Sequence, residues 1–275
     1  MRDLAVITRR STLGLLAASA MLPARALAHV APPRNEVRES LAKRFTDLGT
    51  SGTFVAYMVD DYLVVASDTQ RSGEAKIPAS TFKIPNSLIA LETGVVADPD
   101  KDVFAWDGVK RPIEAWNRDH TLRSAIAVSA VPVYQEIARR IGQERMQKYV
   151  DLFDYGNRDI GGGIDQFWLS GALRIDPVEQ VDFVDRLRRR ALPVSPRSQD
   201  LVADILPVTK AGDSVIRAKS GLAGRDQGSI GWMVGWAEKG AAQTVFALNM
   251  DCPEPRHVEA RMPLTQACLA EIGAI

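Results

Sequence analysis

The spacing of apolar residues changes along the chain and predicts elements of different kinds. Near the beginning of the globular part, "RNEVRESLAKRFTDLG" (34–49) carries apolar residues at helical spacing, namely Val37, Leu41, Phe45 and Leu48. This spacing predicts an amphipathic helix. The next stretch, "TFVAYMVDDYLVVASD" (53–68), has two apolar runs around Asp60 and Asp61, which predicts a hairpin of two strands.

The middle of the chain carries helical signals. "IPASTFKIPNSLIALETG" (77–94) predicts a helix that runs to Thr93 and is ended by Gly94. Residues 95 to about 175 are interpreted as mainly helices and loops. In "IDPVEQVDFVDRL" (175–187), Asp176 is suited to cap a helix that has Pro177 in its first position and Glu179 in its third.

The last third returns to strand patterns. The stretches "SVIRAKSGLA" (214–223), "GSIGWMVGWAEKG" (228–240) and "QTVFALNMDC" (243–252) predict successive antiparallel strands, and "EARMPLTQACLAEIG" (259–273) predicts a closing helix. The predicted fold is α/β, of the α+β type. An antiparallel sheet, flanked by helices and built from both chain ends, accompanies a mainly helical lobe inserted at roughly 95–210. We expect a cleft between the two lobes.

Composition and charge restrict the function classes. The 275 residues are 46% hydrophobic and 25% charged, which is typical of a folded globular protein. The 34 Lys and Arg residues balance the 34 Asp and Glu residues, so no net charge attracts nucleic acid or an anionic membrane. Two cysteines, Cys252 and Cys268, exclude a disulfide framework and a four-cysteine zinc site, and no metal site is expected. Whether they form a disulfide or remain two buried thiols is left open.

Residues 1–28 are interpreted as an export signal. They contain the pair Arg9 and Arg10, an apolar run from Leu13 to Leu22 that is too short to span a bilayer, and a small-residue cleavage site ending at Ala28. The paired arginines are typical of a twin-arginine signal. We therefore expect a mature protein of residues 29–275, with a single catalytic domain, that works in the periplasm and is not held in a membrane.

Ser80 and Lys83 are the first candidates for chemistry. Three residues is nearly one helical turn, so the lysine amine can face the serine hydroxyl at the beginning of a helix, where the helix dipole stabilises a developing alkoxide. Lys83 has apolar sequence neighbours and no nearby carboxylate, so burial should lower its pKa. This is the Ser-Lys arrangement for activating a nucleophile. A second pair, Ser40 and Lys43, lies on the polar flank of a predicted helix and is interpreted as structural.

Four further motifs accompany this pair: "SAV" (129–131), "YGN" (155–157), "FWL" (167–169) and "KSG" (219–221). The set resembles, in order and spacing, the motifs of the class D serine β-lactamases, the oxacillinase family. The resemblance extends from about residue 50 to the end. It implies the fold shared by serine β-lactamases and penicillin-binding-protein transpeptidases, a β-lactam as substrate, and no metal or organic cofactor.

The resemblance also implies a role for individual residues. Ser80 is expected to attack the lactam carbonyl, and the backbone N–H groups of Ser80 and Leu222 to form the oxyanion hole. Ser129 is expected to pass a proton to the departing nitrogen, while Lys219 supplies positive potential. Ser220 and Arg261 are expected to hold the substrate carboxylate. The full set expected to contact substrate is Ser220, Gly221, Arg261, Val131 and Tyr134.

The same resemblance implies a modified Lys83. A neutral lysine amine adds carbon dioxide, and in this family the product is a carbamate, N6-carboxylysine, that serves as the base in acylation and in deacylation. The Trp168 indole is expected to donate a hydrogen bond to it, and Val131, Tyr134 and Leu169 to help enclose the pocket. Carbon dioxide or bicarbonate is then the only small molecule required besides the substrate.

Two alternatives belong to other function classes. A penicillin-binding protein or peptidase shares the Ser-Lys pair and the "KSG" strand motif, and a β-lactam sensor domain is acylated without turnover. "YGN" and "FWL" weigh against the first alternative, and the lack of a membrane helix beyond the signal weighs against the second. A Ser-His-Asp triad is disfavoured, because His120 is interpreted as structural. The β-lactam spectrum, which depends on the loops around Trp106, Tyr134 and Leu222, and the oligomeric state are left open.

Overall fold

The structure is a computed structural model that describes residues 32–224 and 229–275. The predicted export signal at 1–28 lies outside the described residues. Residues 33–275 group into one compact unit. No helix in the described ranges is long and apolar enough to cross a membrane.

The first half of the described chain begins with strands and continues with helices. Its elements are β1 (Arg34–Val37), α1 (Glu39–Asp47), β2 (Gly52–Met58), β3 (Leu63–Ala66), α2 (Thr69–Ser72), a 3-10 turn (Ala79–Phe82), α3 (Lys83–Glu92), a second 3-10 turn (Glu114–Trp116), α4 (Leu122–Ala127), α5 (Val131–Ile141) and α6 (Gln143–Phe153).

The second half begins with two helices and ends with a strand meander and a long helix. Its elements are α7 (Pro177–Arg188), α8 (Pro196–Ile205), β4 (Val208–Ala211), β5 (Ser214–Ala223), β6 (Ile230–Lys239), β7 (Ala242–Asp251) and α9 (Pro255–Glu271). The segment predicted as a helical lobe therefore contains α4 to α8, and β4 begins just inside its predicted end. The division of the domain into two lobes with a cleft between them stays a prediction.

The described strands form one sheet in the order β1-β3-β2-β7-β6-β5-β4. The predicted hairpin is confirmed, because β2 and β3 pair antiparallel with Val55 opposite Ala66. The three predicted strands of the last third are also confirmed as the antiparallel neighbours β5, β6 and β7. The antiparallel prediction is wrong at one edge only, where β1 pairs parallel with β3. The sheet is therefore mixed.

The helix predicted over 34–49 is wrong in its first part. Residues Arg34–Val37 form β1, and α1 begins only at Glu39. The backbone N–H groups of Arg34 and Arg38 donate to the carbonyls of Tyr62 and Ala66, at 3.0 Å and 2.9 Å, so pairing with β3 prevails over the helical spacing. Val37 is consequently 53% exposed, while α1 still buries Leu41 and Phe45.

Two predicted helix boundaries are confirmed. Helix α3 ends at its C-cap Thr93, and Gly94 follows with φ +71°, a conformation that glycine adopts at little cost. Helix α7 begins with the predicted capping box: the Glu179 N–H donates to Asp176 Oδ1 at 2.8 Å, and the Asp176 N–H donates to Glu179 Oε2 at 2.9 Å. Helix α7 contacts β2, β6 and β7, and its residue Gln180 bonds to Thr81 in the turn that carries Ser80.

Apolar side chains cover both faces of the sheet. On one face, α1 and α9 bury Phe45 and Leu269 against Phe54 and Phe246. On the other face, a larger cluster joins β2, β6 and β7 to α3 and to the helices that follow it, and it contains Phe82, Tyr134 and Trp168. Burial of this apolar surface is the main stabilising contribution to the fold.

Cys252 and Cys268 are both free and buried. Cys252 follows β7 and lies near Arg261, whereas Cys268 lies near Arg44 of α1. The disulfide considered from the sequence is not formed. Each acts as a small apolar side chain, and burial raises the pKa of both thiols, that of Cys268 to about 12.

Candidate active site

The candidate nucleophile lies in a strained turn immediately before α3. Ala79, the residue that precedes Ser80, is fully buried and has φ +50°, which is unfavourable for a residue with a β-carbon. The 3-10 turn Ala79–Phe82 then continues directly into α3 at Lys83. Ser80 is 9% exposed. The turn thus places the serine at the N-terminal end of the helix, as the sequence predicts.

Lys83 Nζ lies 2.8 Å from Ser80 Oγ, and the lysine side chain is fully buried. No described carboxylate forms an ion pair with Lys83. Burial lowers the pKa of this lysine well below its ordinary value, and the positive charge of Lys219 lowers it further. The structure therefore favours a neutral amine next to the serine hydroxyl.

Tyr134 closes one side of the lysine pocket. Its ring lies 5.2 Å from Lys83 Nζ, and its hydroxyl lies 2.8 Å from Ser87 Oγ. Tyr134 is fully buried, and its expected contact with substrate stays a prediction. Its contacts make it a wall of the lysine pocket. Leu169 is half-buried and packs against the same apolar cluster.

Trp168 has a buried hydrogen-bond donor that lacks an acceptor. Its side chain is fully buried, and Nε1 has no hydrogen-bond partner in the described chain. The indole stacks on Phe82 at 5.6 Å between ring centroids and packs edge-on against Phe167 at 4.9 Å. Phe82 is the last residue of the turn that carries Ser80 and directly precedes Lys83, so Trp168 packs against this turn. An unsatisfied buried N–H at this place fits an acceptor group that the lysine pocket would contain.

The "YGN" motif anchors the loop that carries Trp168. Asn157 Oδ1 accepts from the Arg174 N–H at 2.9 Å, and Asn157 Nδ2 donates to the Ala172 carbonyl at 2.9 Å. Gly156 has φ +56°, and a β-carbon there would lie 2.0 Å from the Arg174 carbonyl oxygen. The Tyr155 ring packs against Phe82 at 5.6 Å. The motif therefore closes the loop of residues 157–174 against the base of the nucleophile turn.

Strand β5 brings "KSG" alongside the Ser80 turn. At Gly221 a β-carbon would meet the Pro78 carbonyl oxygen at 3.0 Å and Thr81 Cγ2 at 3.1 Å, so only a residue without a side chain fits easily. Lys219 Nζ donates to the Ser220 carbonyl at 2.9 Å and is buried. Leu222, the next residue of β5, is 40% exposed. Its backbone is therefore positioned next to the nucleophile turn, although its side chain faces solvent.

Arg261 approaches β5 from α9. Its guanidinium donates to the Gly221 carbonyl through Nη1 and to the Val258 carbonyl through Nε, the latter at 2.7 Å. Burial lowers the pKa of Arg261. Burial, together with the nearby Arg261 charge, lowers the pKa of Lys219 to about 7. Neither Lys219 nor Arg261 has an ion-pair partner in the described ranges. The charge of Arg261, and that of Lys219 when it is protonated, therefore lacks a carboxylate counterion beside the site.

The "SAV" motif forms the connection between α4 and α5. Ser129 is half-buried and has φ +56°, and its hydroxyl makes no hydrogen bond with a described residue. Val131 is the first residue of α5, the helix that carries Tyr134. The motif is therefore joined through α5 to the lysine pocket, and the strained serine resembles Ala79 in its backbone conformation.

A polar network below the nucleophile turn was not predicted from the sequence. Thr81 Oγ1 donates to the Pro78 carbonyl at 2.8 Å and accepts from Gln180 Nε2 at 2.9 Å. On the other side of the turn, Trp232 Nε1 donates to the Ile77 carbonyl at 2.9 Å. These bonds connect α7 and β6 to the residues on either side of Ser80. Neither bond could be predicted locally, since the partners of Gln180 and Trp232 lie 99 and 155 residues away in sequence.

His120 is confirmed as a structural residue. It is 2% exposed, its Nε2 lies 2.9 Å from the Ala115 carbonyl, and its Nδ1 lies 3.0 Å from Ser124 Oγ. Burial lowers its pKa, so the neutral ring is favoured. No group of three or more His, Cys, Asp or Glu residues in the described ranges is arranged to hold a metal ion.

Comparison with known proteins agrees with this geometry. Residues 53–270 match the family of penicillin binding protein transpeptidase domains. The chain is 45% identical to β-lactamase OXA-48 of Klebsiella pneumoniae over 82% of this chain and 85% of the relative. It is 42% identical to β-lactamase OXA-10 of Pseudomonas aeruginosa over 84% and 86% of the two chains. The class D β-lactamase FUS-1 (OXA-85) of Fusobacterium nucleatum subsp. polymorphum superposes with a TM-score of 0.83 at 36% identity, over 87% of this chain and 99% of that chain.

The chain belongs to the class D β-lactamases. The family resemblance given by the sequence motifs is thereby confirmed, and so is the transpeptidase-type fold. The structure adds three observations to this family assignment: the Ser80–Lys83 contact, the buried Trp168 donor, and the lowered pKa values of the buried Lys83 and Lys219.

Proposed function

We propose that this protein hydrolyses β-lactams through an acyl-enzyme on Ser80. The observation that carries the proposal is the 2.8 Å contact between Ser80 Oγ and a fully buried lysine amine that has no carboxylate partner in the described chain. Relatives at 42–45% identity are named β-lactamases, which supports this substrate class. Ser80 Oγ attacks the lactam carbonyl carbon, and the carbon–nitrogen bond of the ring breaks.

The backbone around Ser80 supports stabilisation of the oxyanion. Ser80 lies in the first turn of a helical segment, where N–H groups lack intrahelical partners and the helix dipole is positive. The close approach of Gly221 to Pro78 and Thr81 brings the Leu222 backbone to the same turn. The N–H groups of Ser80 and Leu222 are therefore suited to bind the oxygen as it becomes negative. Removing one donor of this kind typically costs about 3 kcal/mol of transition-state stabilisation.

Ser129 is suited to move a proton to the departing nitrogen. Its strained backbone and its unbonded hydroxyl keep the side chain available. Lys219 is a buried residue of β5, and its lowered pKa, about 7, allows it to exchange a proton near neutral pH. Ser129 gives its proton to the nitrogen and recovers one from the Lys219 ammonium, which leaves the nitrogen as an amine and completes ring opening.

The lysine pocket fits a carbamate on Lys83. Burial favours the neutral form of the amine, and aromatic rings enclose it. The buried Trp168 N–H has no acceptor among the described residues, and a carbamate oxygen would supply one. Such a group supplies an anionic base for acylation and for attack by water on the acyl-enzyme. Trp168 would fix the orientation of the carbamate, while Phe82 and Tyr134 exclude water from the pocket around it.

The positive charges of Lys219 and Arg261 support recognition of an anionic substrate. β-Lactams carry a carboxylate, and Lys219 and Arg261 lack a carboxylate partner among the described residues. Ser220 and the Arg261 guanidinium are suited to bind this carboxylate, since the guanidinium is held by two carbonyls of fixed position. Val131 and Gly221 would then contact the bound substrate at the edge of the site.

A penicillin-binding protein or sensor is the second candidate, because the matching family is named for penicillin binding protein transpeptidase domains. Incubation with a chromogenic cephalosporin separates the two. The proposal predicts many turnovers per protein molecule and none for Ser80→Ala. A stoichiometric burst that ends in stable acylation would instead identify a sensor or a penicillin-binding protein.

We further propose that residues 1–28 direct export and that the mature protein works in the periplasm. The adjacent Arg9 and Arg10, the apolar run and the site at Ala28 support this proposal. N-terminal sequencing of protein recovered from the periplasmic fraction would test it. A cytoplasmic product that retains residue 1 would contradict it.

A further inference from the structure

A cavity of about 220 Å³ lies beside α5 and has no assigned role. Ser80, Lys83, Lys219 and Arg261 are not among the residues that line it. The lining comes from three segments, residues 104–111, residues 116–118 and the part of α5 from Pro132 to Arg140. Sites for drug-sized ligands measure about 300–1,000 Å³, so this cavity suits a smaller molecule of one or two rings.

Apolar and aromatic side chains form one part of the cavity: Phe104, Trp106, Trp116, Pro132 and Val133. The backbone of Phe104 is fixed by reciprocal hydrogen bonds with that of His120, at 2.7 Å and 3.0 Å. Trp116 Nε1 donates to the Val128 carbonyl at 3.0 Å, and Trp106 Nε1 donates to the Val109 carbonyl at 3.1 Å. Because both indole N–H groups are already bonded, the two tryptophans offer apolar surface rather than donors.

Four guanidinium groups form the other part of the cavity, from Arg111, Arg118, Arg139 and Arg140, against the two carboxylates Asp107 and Glu136. Both carboxylates are already bonded. Both oxygens of Asp107 accept from Arg111, and the two oxygens of Glu136 accept from Arg139 and Arg140. These arginines lower the pKa of both carboxyl groups, that of Asp107 to about 2, so both are ionised at neutral pH. The lining itself thus has two more arginines than carboxylates, and one of these charges is balanced by Asp165, which pairs with Arg139 at 2.7 Å.

Arg118 is the cation in this lining that has no counterion. It is exposed, and it makes no ion pair or side-chain hydrogen bond with any described residue. Arg140, in contrast, lies over the Phe104 ring at 5.1 Å and also pairs with Glu136. An anion entering the cavity would therefore find its available partner at Arg118, next to the rings.

We infer that this cavity binds a small aromatic carboxylate, with its ring against Trp116, Phe104 and Val133 and its carboxylate on Arg118. A neutral arene would leave the guanidinium surplus unmatched, and a simple inorganic anion would leave the apolar part in contact with water. A ligand that combines both features satisfies both parts of the lining.

None of the catalytic groups lines the cavity, although it shares two chain segments with the expected substrate site, the loop of Trp106 and the beginning of α5. Pro132 and Val133 line the cavity, while their neighbours Val131 and Tyr134 belong to the lysine pocket and its edge. Trp116 holds the Val128 carbonyl, one residue before Ser129. Arg261 makes no contribution to the cavity. A small carboxylate and a β-lactam are consequently expected to bind at the same time.

Isothermal titration calorimetry with 2-naphthoate tests the inference without any need for β-lactam turnover. One saturable site is expected. Arg118→Gln should weaken binding at least about fivefold, because one charge-assisted hydrogen bond is lost, and the neutral 2-naphthamide should bind weaker by a similar factor. Arg158→Gln is the matched control, since Arg158 is an exposed arginine paired with Asp154 outside the cavity. Its affinity should be unchanged, and so should that of Arg261→Ala.

Three results would overturn the inference. Absence of saturable binding at millimolar 2-naphthoate would show that the cavity does not take this class of ligand. Wild-type affinity in Arg118→Gln would show that Arg118 does not bind the carboxylate of the ligand. Loss of binding in Arg261→Ala would place the probe in the substrate site. Because each readout is a binding constant, these results are distinct from a failure of the proposed hydrolysis.

Discussion

Ser80 and Lys83 face each other across one helical turn, with Oγ and Nζ 2.8 Å apart and the lysine side chain fully buried. A lysine ammonium in such surroundings is unfavourable for folding, because it leaves water without gaining a carboxylate partner. The same surroundings favour the neutral amine that reacts with carbon dioxide. Stability is therefore given up at this position for reactivity, as is usual at catalytic sites.

The buried Lys219 should make the stability of the protein depend on pH. Its pKa is about 7 in the folded protein and near 10.5 when unfolded, so between these values the unfolded state binds more protons and stability rises with pH. Lys219→Met should remove the contribution of Lys219 to this dependence and leave that of the buried Lys83. Between pH 7.5 and 9, the free energy of unfolding of the wild type should rise relative to that of the variant by roughly 1 kcal/mol per pH unit. Urea unfolding measures both. If the unfolding free energies of the two proteins changed in parallel with pH, the lowered pKa assigned to Lys219 would be contradicted.

Trp168→Phe should slow deacylation more than acylation. The substitution keeps an aromatic ring against Phe82 and Phe167 but removes the unbonded Nε1 donor. Loss of one such donor is worth about 1–3 kcal/mol. Rapid-mixing kinetics should therefore show a larger burst of acyl-enzyme followed by slower turnover.

Trp236→Phe is the control for that prediction. It removes an indole donor of the same kind, which bonds to Glu238 Oε1 at 2.8 Å. Its deacylation rate should stay near that of the wild type. Equal losses in the two variants, or an unchanged rate in Trp168→Phe, would remove the special role of the Trp168 N–H.

Gly231→Ala should weaken substrate binding through Arg261. A β-carbon at this position would lie 2.5 Å from Cys252 Sγ and 3.0 Å from Arg261 Cδ, so the arginine stem must move. We expect KM to rise about fivefold, equivalent to about 1 kcal/mol, with a smaller change in kcat. Adding Cys252→Ala should restore part of the loss, because it makes room for the new methyl group. Unchanged KM in a variant that is less stable would show a purely structural effect.

The sequence predicted most of the fold because its strongest signals are local. The capping box at Asp176, the C-terminal glycine at Gly94 and the two-run hairpin each depend on residues a few positions apart, and each is found in the structure. Residues 34–37 were mispredicted, since Val37 continues the helical spacing of α1. Their strand conformation depends on β3, which lies about thirty residues away.

The candidate site divides in the same way. The Ser80–Lys83 contact follows from spacing on one helix, and the other site motifs came from the resemblance to a family. Tyr134 was expected to contact substrate, and only the packing of α5 shows that it is buried against Lys83. The network of Thr81 and Gln180 joins residues 99 positions apart and has no local signal.

Acid and removal of bicarbonate should inactivate the protein reversibly. Only the neutral Lys83 amine can retain carbon dioxide, so protonation at low pH releases it and activity falls as the pH falls. Protein dialysed at pH 5 without bicarbonate and returned to pH 8 should regain activity on addition of bicarbonate. Circular dichroism should show that the protein stays folded throughout. Full recovery in carbon dioxide-free buffer would contradict this account.

The carbamate on Lys83 is the central claim, and carbon-13 NMR with labelled bicarbonate tests it most directly. The account predicts one lysine carbamate signal in active protein, which disappears on acidification together with activity and is missing from Lys83→Met. A fully active protein with no such signal would contradict the claim and leave the neutral Lys83 amine, 2.8 Å from Ser80 Oγ, as the base.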